Sequence, residues 1–186
     1  MKIDRIECVN LRFEYPRGQG FHYGGGQCSA RVTSLVLVHT DTGQVGIGSA
    51  YAHPGLVHLV VEHQLAPLLR GDDPTKVEDL WAKMYGLTRW YGRKGAAMAA
   101  LGALDVAFWD LRGKAAGQPL WRMLGGSRGT SPAYASALLW KDQVSELAEE
   151  AGRHLARGFR RMKLRMGKSE EYDCAAVRAV RAAIGP

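Results

Sequence analysis

Two cations spaced two residues apart, Lys163 and Arg165, are the side chains of this sequence best placed to act on an anion. They lie in Gly158-Phe159-Arg160-Arg161-Met162-Lys163-Leu164-Arg165-Met166-Gly167. A strand points successive side chains to opposite faces, so Arg161, Lys163 and Arg165 share one face and Met162, Leu164 and Met166 the other. An edge strand with its basic face in water would carry the same pattern with no ligand. The neighbouring pattern argues against that reading. A predicted strand and helix precede this segment and a helix follows it, the rhythm of a parallel sheet, whose strands are usually covered on both faces. Cations at the carboxyl end of such a strand are placed for an anionic ligand.

A second set of candidates sits in Pro16-Arg17-Gly18-Gln19-Gly20-Phe21-His22-Tyr23-Gly24-Gly25-Gly26-Gln27. So glycine-rich a loop is not expected to hold itself rigid, and loops of this length in compact domains are usually functional or disordered. Arg17, His22 and Tyr23 supply it with binding chemistry, although polar loop residues are often only solvated. Neither GxGxxG nor GxxxxGK[ST] can be read there, and Gly43-x-x-Gly46-x-Gly48 is better explained by strand geometry. His58 and His63 are five residues apart, project to different sides of a helix and make a poor metal pair. Cys8, Cys28 and Cys174 have no CxxC spacing and read as isolated thiols.

The elements that must position these residues come in two groups. Lys2 to Tyr15 alternates Ile3, Arg5, Glu7, Val9, Leu11, Phe13 and Tyr15 against its other residues well enough for a strand. Ser34 to Thr40 and Gln44 to Tyr51 flank an Asp41-Thr42-Gly43 turn, so a three-stranded antiparallel meander is expected. Helices are expected over Pro54 to Leu69, over Pro74 to Tyr85 with Asp73 as its cap, and over Lys94 to Ala116. The last has two stripes, Ala97-Leu101-Leu104-Phe108-Leu111-Ala115 and Met98-Gly102-Asp105-Trp109-Arg112, and so is expected to be buried on two sides. Asp105 then needs a partner, and Asp110 with Lys114 is an ordinary i, i+4 pair.

After the turn Leu120 to Gly126 a domain boundary is expected, with residues 1–126 before it and 127–186 after it. Beyond the boundary come a strand over Pro132 to Leu139, a helix over Asp142 to Arg157 ended by Gly158, the Lys163 strand, and a helix over Ser169 to Ile184 capped by Ser169. Two strand–helix units leave a parallel sheet unfinished, so residues 127–186 read as an incomplete portion of something larger.

Composition narrows the class. The 186 residues are 46% hydrophobic and 23% charged, with 25 Lys plus Arg against 18 Asp plus Glu, a net charge of +7. The bases are scattered and no nucleic-acid motif accompanies them, so a small anionic partner is expected rather than nucleic acid. There is no apolar leader and no run of membrane-spanning length, and the thiols suit a reducing compartment; a cytoplasmic protein with no membrane partner is the expectation.

Met98-Ala99-Ala100-Leu101-Gly102-Ala103-Leu104-Asp105-Val106-Ala107-Phe108-Trp109-Asp110-Leu111-Arg112-Gly113-Lys114, then Gly117-Gln118-Pro119-Leu120 and Leu124-Gly125-Gly126, resembles the end of the N-terminal capping domain of the enolase superfamily. Gly158-Phe159-x-x-x-Lys163-x-Arg165-x-Gly167 resembles that superfamily's second barrel strand in its mandelate racemase branch, which includes acid-sugar dehydratases. The resemblance runs from the first strand to Pro186. It implies an α+β capping domain followed by the first two βα units of a (β/α)8 barrel, a fold whose closed form needs roughly 250 residues.

The resemblance also implies that the loop at residues 16–27 and the segment around Tyr51 and His53 close over the barrel mouth, so that Arg17, His22, Tyr23, Tyr51 and His53 contact substrate. Superfamily sites use a Lys or His base with Mg²⁺ stabilising an ene-diolate. The implied chemistry is abstraction of the proton α to a carboxylate, followed in dehydratases by loss of a β-hydroxyl; a homo-oligomeric enzyme with a small carboxylate substrate is expected. Family metal ligands lie on the third to fifth barrel strands, so no metal ligand is assigned here. The family's Lys-x-Lys pair reads Lys163-Leu164-Arg165; the first lysine helps hold the substrate carboxylate and the second is the base, a role for which arginine is poorly suited. A dehydratase is therefore expected, with a racemase, epimerase or cycloisomerase as the alternative. A non-enzymatic interaction module or inactive fragment, its open sheet covered by a partner, is the competing class.

Overall fold

Strand β4 (Ala30–Thr40) lies between β1 (Ile3–Glu14) and β5 (Val45–Ala50) in a three-stranded sheet. It pairs with β5 antiparallel, from Ser34 opposite Ala50 to His39 opposite Val45. The computed structural model describes residues 1–17, 20–23 and 26–186, with only the backbone of Tyr23. These form two compact units, Met1–Phe13 with Val32–Gly129 and Glu14–Arg31 with Thr130–Pro186. The three strands follow one another in chain order as the meander expectation requires. Gly43 turns the hairpin at φ +81°, a conformation that favours glycine. Alternation in β4 buries Ser34, Val36, Val38 and Thr40 on one face.

The first strand departs from its expected pattern. Ile3, Ile6 and Cys8 are buried, whereas Glu7, Leu11 and Phe13 are exposed. Burial therefore slips by one residue between Ile3 and Ile6, a phase change of the kind an extra residue in a strand produces.

Helix α4 (Ala96–Ala116) packs on β5 at a distance that only glycine permits. A Cβ on Gly48 would stand 1.8 Å from the Ala103 carbonyl oxygen, and one on Gly46 would stand 2.3 Å from that of Ala107. The glycines of the Gly43-x-x-Gly46-x-Gly48 run thus serve close packing, as a strand reading of that run suggests. One expected stripe of α4 is buried, except that Ala115 is exposed. The second is corrected: Gly102 is exposed and Met98, Asp105, Trp109 and Arg112 are half-buried, while Ala100, Ala103 and Ala107 form the other buried face. Small side chains, not large ones, mark that face because the sheet backbone comes so close. Asp105 remains in reach of water and so needs no partner; burial, and next the charge of Glu78, push its carboxyl above the usual value of 3.8.

Helix side chains reach the backbone at both edges of the sheet. At the β5 edge the Ile47 N–H donates to Asp110 Oδ2 at 3.0 Å and Lys114 Nζ donates to the Val45 carbonyl at 2.7 Å, while Lys114 and Asp110 also meet at 2.7 Å. This i, i+4 pair therefore holds a strand as well as itself. At the β1 edge the Cys8 N–H donates to Glu62 Oε1 at 2.9 Å and His58 Nδ1 meets the Cys8 carbonyl at 3.3 Å. Exposed strand edges invite pairing with other chains, and charged side chains laid along them prevent it. Burial, followed by the charge of Glu62, raises the Cys8 thiol above its ordinary value.

The single helix expected over Pro54 to Leu69 is α1 (Pro54–Val60) and α2 (Ala66–Leu69) joined by a π-helical turn, Val61–Leu65, which carries Glu62. Helix α3 (Val77–Thr88) starts later than Pro74. Asp73 instead organises the turn before it, accepting from the Thr75 N–H at 3.0 Å and hydroxyl at 2.8 Å. The short apolar turn is α5 (Leu120–Met123), followed by Gly125 at φ +83°.

In the second unit β6 (Ala135–Ser136) and β7 (Met162–Lys163) pair in parallel, Ala135 opposite Met162 and Ser136 opposite Lys163. Both are much shorter than their alternation predicts. Helices α6 (Val144–Ala156) and α7 (Glu170–Ile184) pack together around Leu138, Leu147, Ala151, Ala176 and Val180. Met162 and Leu164 join this core as expected, but Met166 is 50% exposed. The Gln143 N–H donates to Glu146 Oε1 at 3.3 Å in a capping box, and Ser169 Oγ accepts from the Tyr172 N–H at 3.1 Å. The glycine-rich loop, not expected to hold itself rigid, contains a hairpin, β2 (Phe21–Tyr23) with β3 (Gly26–Cys28). Gly18, Gln19, Gly24 and Gly25 lie outside the described residues. Among those described, no helix is long and apolar enough to cross a membrane.

Three substitutions test this packing. Gly48→Val forces α4 off the sheet and is expected to cost about 3 kcal/mol or more in urea denaturation. Gly102→Ala, where a Cβ meets nothing within 4 Å, is expected to add roughly 0.5–1 kcal/mol. For Asp105, whose carboxyl is raised, the folded chain holds the proton more tightly than the unfolded one. Its stabilising contribution is complete below 3.8 and is lost as pH rises through the higher folded value. Asp105→Asn should therefore gain stability relative to the parent on going from pH 3 to pH 7; an unchanged difference across that interval would count against the burial argument.

Candidate functional site

The parallel pairing of β6 and β7 continues past the short strands. The Arg165 N–H donates to the Leu138 carbonyl at 3.2 Å, and the Trp140 indole N–H donates to the Arg165 carbonyl at 3.2 Å. Lys163 is exposed and Arg165 half-buried at the carboxyl end of β7, while Met162 and Leu164 pack into the core of the unit. Alternation thus leaves the two cations on the face away from that core.

The chain turns sharply at the end of β6. Leu138 is fully buried and adopts φ +51°, a left-handed conformation that costs a non-glycine residue roughly 1–2 kcal/mol. Its N–H donates to Glu150 Oε1 at 3.3 Å, and Glu150 also lies 3.7 Å from both Lys141 Nζ and His154 Nε2. Helix α6 therefore fixes the turn that leads into Trp140 and Lys141.

A second clamp comes from α7. Tyr172 Oη donates to the Lys141 carbonyl at 2.9 Å and accepts from the Lys141 N–H at 3.0 Å. Lys168 Nζ donates to the same carbonyl at 3.0 Å and stands 4.2 Å from the centre of the Tyr172 ring, within cation–π range. Asp173 accepts from the Gly167 N–H at 2.6 Å and from the Lys168 N–H at 3.4 Å, which secures the glycine at φ +99°.

Hairpin β2–β3 reaches this place. His22 makes an antiparallel bridge with Trp140. Together they border a cavity of about 340 Å³ lined by His22, Gly26, Gln27, Trp140, Lys141, Asp142 and Lys168. The hairpin is braced by Arg31, whose guanidinium lies 4.6 Å from the centre of the Phe21 ring and donates to Tyr15 Oη at 3.3 Å.

Of the residues nominated from sequence, Arg17, His22, Tyr23, Lys163 and Arg165 fall in this unit, and among those with described side chains His22 alone lines the cavity. Arg17 is exposed, and the Tyr23 backbone pairs with Gly26. Tyr51, 76% exposed, and His53, exposed just ahead of α1, belong to the other unit. Trp140, Lys141, Lys168 and Tyr172 were not nominated. The signal that could have found Trp140 is its position immediately after a strand of a parallel sheet, where ligands gather. Nothing in the sequence links Lys168 to Lys141. Among the described residues no three His, Cys, Asp or Glu side chains gather as a metal site, so these residues do not supply a Mg²⁺ ligand set.

With this geometry in hand, comparison with known proteins is informative. The family described as "Mandelate racemase / muconate lactonizing enzyme, N-terminal domain" matches residues 16–125. The chain is 35% identical to arabinonate dehydratase of Saccharolobus solfataricus over 80% of its own length and 41% of the relative's. It is also 35% identical to D-galactarolactone cycloisomerase of Agrobacterium fabrum, over 100% of its own length and 50% of the relative's. The chain thus spans half or less of the length of these curated relatives. A crystal structure of a racemase from Streptomyces coelicolor with bound magnesium superposes with a TM-score of 0.91 at 30% identity, over 98% of this chain and 52% of that one. The three-stranded sheet, the helix packed on it and these matches lead to one assignment: the chain belongs to the mandelate racemase / muconate lactonizing enzyme family of the enolase superfamily and contains its N-terminal capping domain.

Proposed function

We propose that this chain is part of an enzyme that dehydrates a hydroxylated carboxylic acid of the acid-sugar class, through an enolate formed by loss of the proton α to the carboxylate. In this reading residues 1–126 cap the site, and residues 127–186 contribute the first two βα units of a (β/α)8 barrel, whose catalytic groups sit at the carboxyl ends of its strands. The observation that carries it is the Lys163-x-Arg165 pair at that end of β7, in register with β6. Support for the reaction class comes from relatives named as dehydratases.

In the proposed step the substrate carboxylate is held by Lys163, and Arg165 offers a planar fork that matches a carboxylate or enolate in two parallel hydrogen bonds. Arginine stays protonated at any working pH, so Arg165 acts by charge and orientation and not as a base. A general base, a role Arg165 does not fill, takes the α-proton and can return it to the departing hydroxyl, and the electron pair left on carbon becomes the enolate. The β-hydroxyl then leaves with its bonding pair and a proton as water, and the resulting enol becomes a 2-keto acid. Fixed cations aimed at the oxygen where charge develops lower this barrier, because they need no reorganisation as the reaction proceeds. Mg²⁺ would supply further charge stabilisation at the carboxylate, and its binding belongs to this proposal, as do a cytoplasmic location and a homo-oligomeric state.

Racemisation and cycloisomerisation by the same enolate are the second reading, favoured by the relatives and structures so named. Racemisation needs acid–base groups on both faces of the reacting carbon, and arginine at position 165 removes one candidate. Dehydration needs one base. Reaction in deuterated water separates the two: a 2-keto acid is expected, whereas deuterium-labelled starting acid of inverted configuration would establish racemisation. Lys163→Met is expected to lower kcat/KM by about a hundredfold or more, in line with the loss of a group that stabilises developing charge. Arg165→Lys should also lower turnover; equal or faster turnover would sink the role assigned to the guanidinium.

A further inference from the structure

Arg165 presents its guanidinium from a place where the sheet has already ended. Strand β7 stops at Lys163, whose ladder partner is Ser136, so the backbone of Arg165 lies beyond the last paired position. Two hydrogen bonds take over from the ladder. The Arg165 N–H donates to the Leu138 carbonyl at 3.2 Å, and the Arg165 carbonyl accepts from the Trp140 indole N–H at 3.2 Å. A peptide unit is planar and stiff, so each bond restrains one of the two planes that meet at the Arg165 Cα. Together they restrain φ and ψ of Arg165, and with them the direction in which its side chain leaves the backbone.

Trp140 is well mounted to supply its half of this restraint. An indole N–H is a donor only, so its bond to the carbonyl can have one polarity and no other. The ring is half-buried and lies beside Gly167, where an added Cβ would stand 3.9 Å from it. Residues on both sides of Trp140 are anchored to helices: the Leu138 N–H donates to Glu150 Oε1 at 3.3 Å, and Tyr172 Oη engages both polar backbone groups of Lys141. The backbone of Trp140 is itself bridged to His22. An indole held in this way cannot follow a carbonyl that moves, so the carbonyl stays where the indole is. Lys163, inside the paired stretch, does not share the indole bond.

In the acid-sugar reading above, on which this inference rests, the Arg165 guanidinium meets the charge that develops on the enolate. We propose that Trp140 is a positioning residue for Arg165: its indole N–H holds the Arg165 carbonyl and so aims the guanidinium. The contribution falls on the transition state, where the guanidinium acts, and not on the hold that Lys163 has on the substrate carboxylate.

Trp140→Phe keeps an aromatic ring in place and removes the donor. The test uses the whole enzyme of which this chain is proposed to be part, with arabinonate, galactonate and galactarate in turn as probe acids. Trp140→Phe is expected to lower kcat about tenfold and leave KM within about twofold, the pattern of an interaction used only in the transition state. In an Arg165→Met background the same substitution is expected to lower kcat no further, because residues that act through one another are not additive. An equal loss in both backgrounds would make Trp140 a structural residue only, and an unchanged kcat for Trp140→Phe would leave it no role; either result overturns the proposal while the acid-sugar reading stands. If Arg165→Met turns over as fast as the parent, the charge role of Arg165 fails and that of Trp140 falls with it. Turnover of none of the three acids removes the acid-sugar reading and this role together. A second measurement does not depend on any variant folding. In the unsubstituted protein the Trp140 indole proton should exchange with deuterium about tenfold more slowly than that of Trp90, which is 82% exposed. Equal exchange would remove the bond through which Trp140 is proposed to act.

Discussion

The contact of α4 with β5 sets the geometry of the whole first unit. A helix carrying ordinary side chains cannot bring its backbone onto a strand, because packing normally leaves two layers of side chains between them. Here Gly46 and Gly48 face Ala103 and Ala107, and the helix carbonyls occupy the space that strand Cβ atoms would fill. That approach is what lets Asp110 and Lys114 reach the β5 backbone. It also leaves the larger residues of α4, Leu101, Leu104, Phe108 and Leu111, to build the core with α1 and the buried faces of β1 and β4.

The second unit solves a different problem. Its strands contribute only two paired residues each, far too few for the ladder alone to fix the position of a side chain. Order comes from side chains acting on backbone: Glu150 on the left-handed Leu138, Tyr172 on both polar groups of Lys141, Asp173 on Gly167 and Lys168, Trp140 on Arg165. Each of these bonds joins one strand end to a neighbouring helix or strand end. The carboxyl ends, where the candidate chemistry lies, are in this way held more firmly than their strand length would suggest. Preorganisation of this kind is what electrostatic stabilisation of a developing charge requires.

Charge is distributed accordingly. The net charge of +7 is spread over the surface, and its useful part is local. Lys163 ends β7, and Arg165 and Lys168 follow it in the chain at intervals of two and three residues.

Much of this was legible from residue order, and the reason is periodicity. The three-stranded sheet, the helices and the cation pair at 163 and 165 follow from patterns local to the chain, as do the caps at Ser169 and Gly158. The Ala103-Leu104-Asp105-Val106-Ala107-Phe108-Trp109-Asp110 run also carried the family. What periodicity could not carry were events decided by a partner distant in sequence. The second buried face of α4 was misplaced because alanine looks neutral until a glycine strand is brought against it. The π turn bearing Glu62 meets the Cys8 N–H of β1 54 positions away, whereas the late start of α3 follows the local turn between Asp73 and Thr75. The hairpin within the glycine-rich loop and its bridge to Trp140 join residues 118 positions apart. Sequence alone determined the spacing of Lys163 and Arg165 on one face of a strand; the tertiary structure decided that Lys168, Trp140 and His22 stand around one cavity, because only through-space hydrogen bonds and ring contacts bring their segments together.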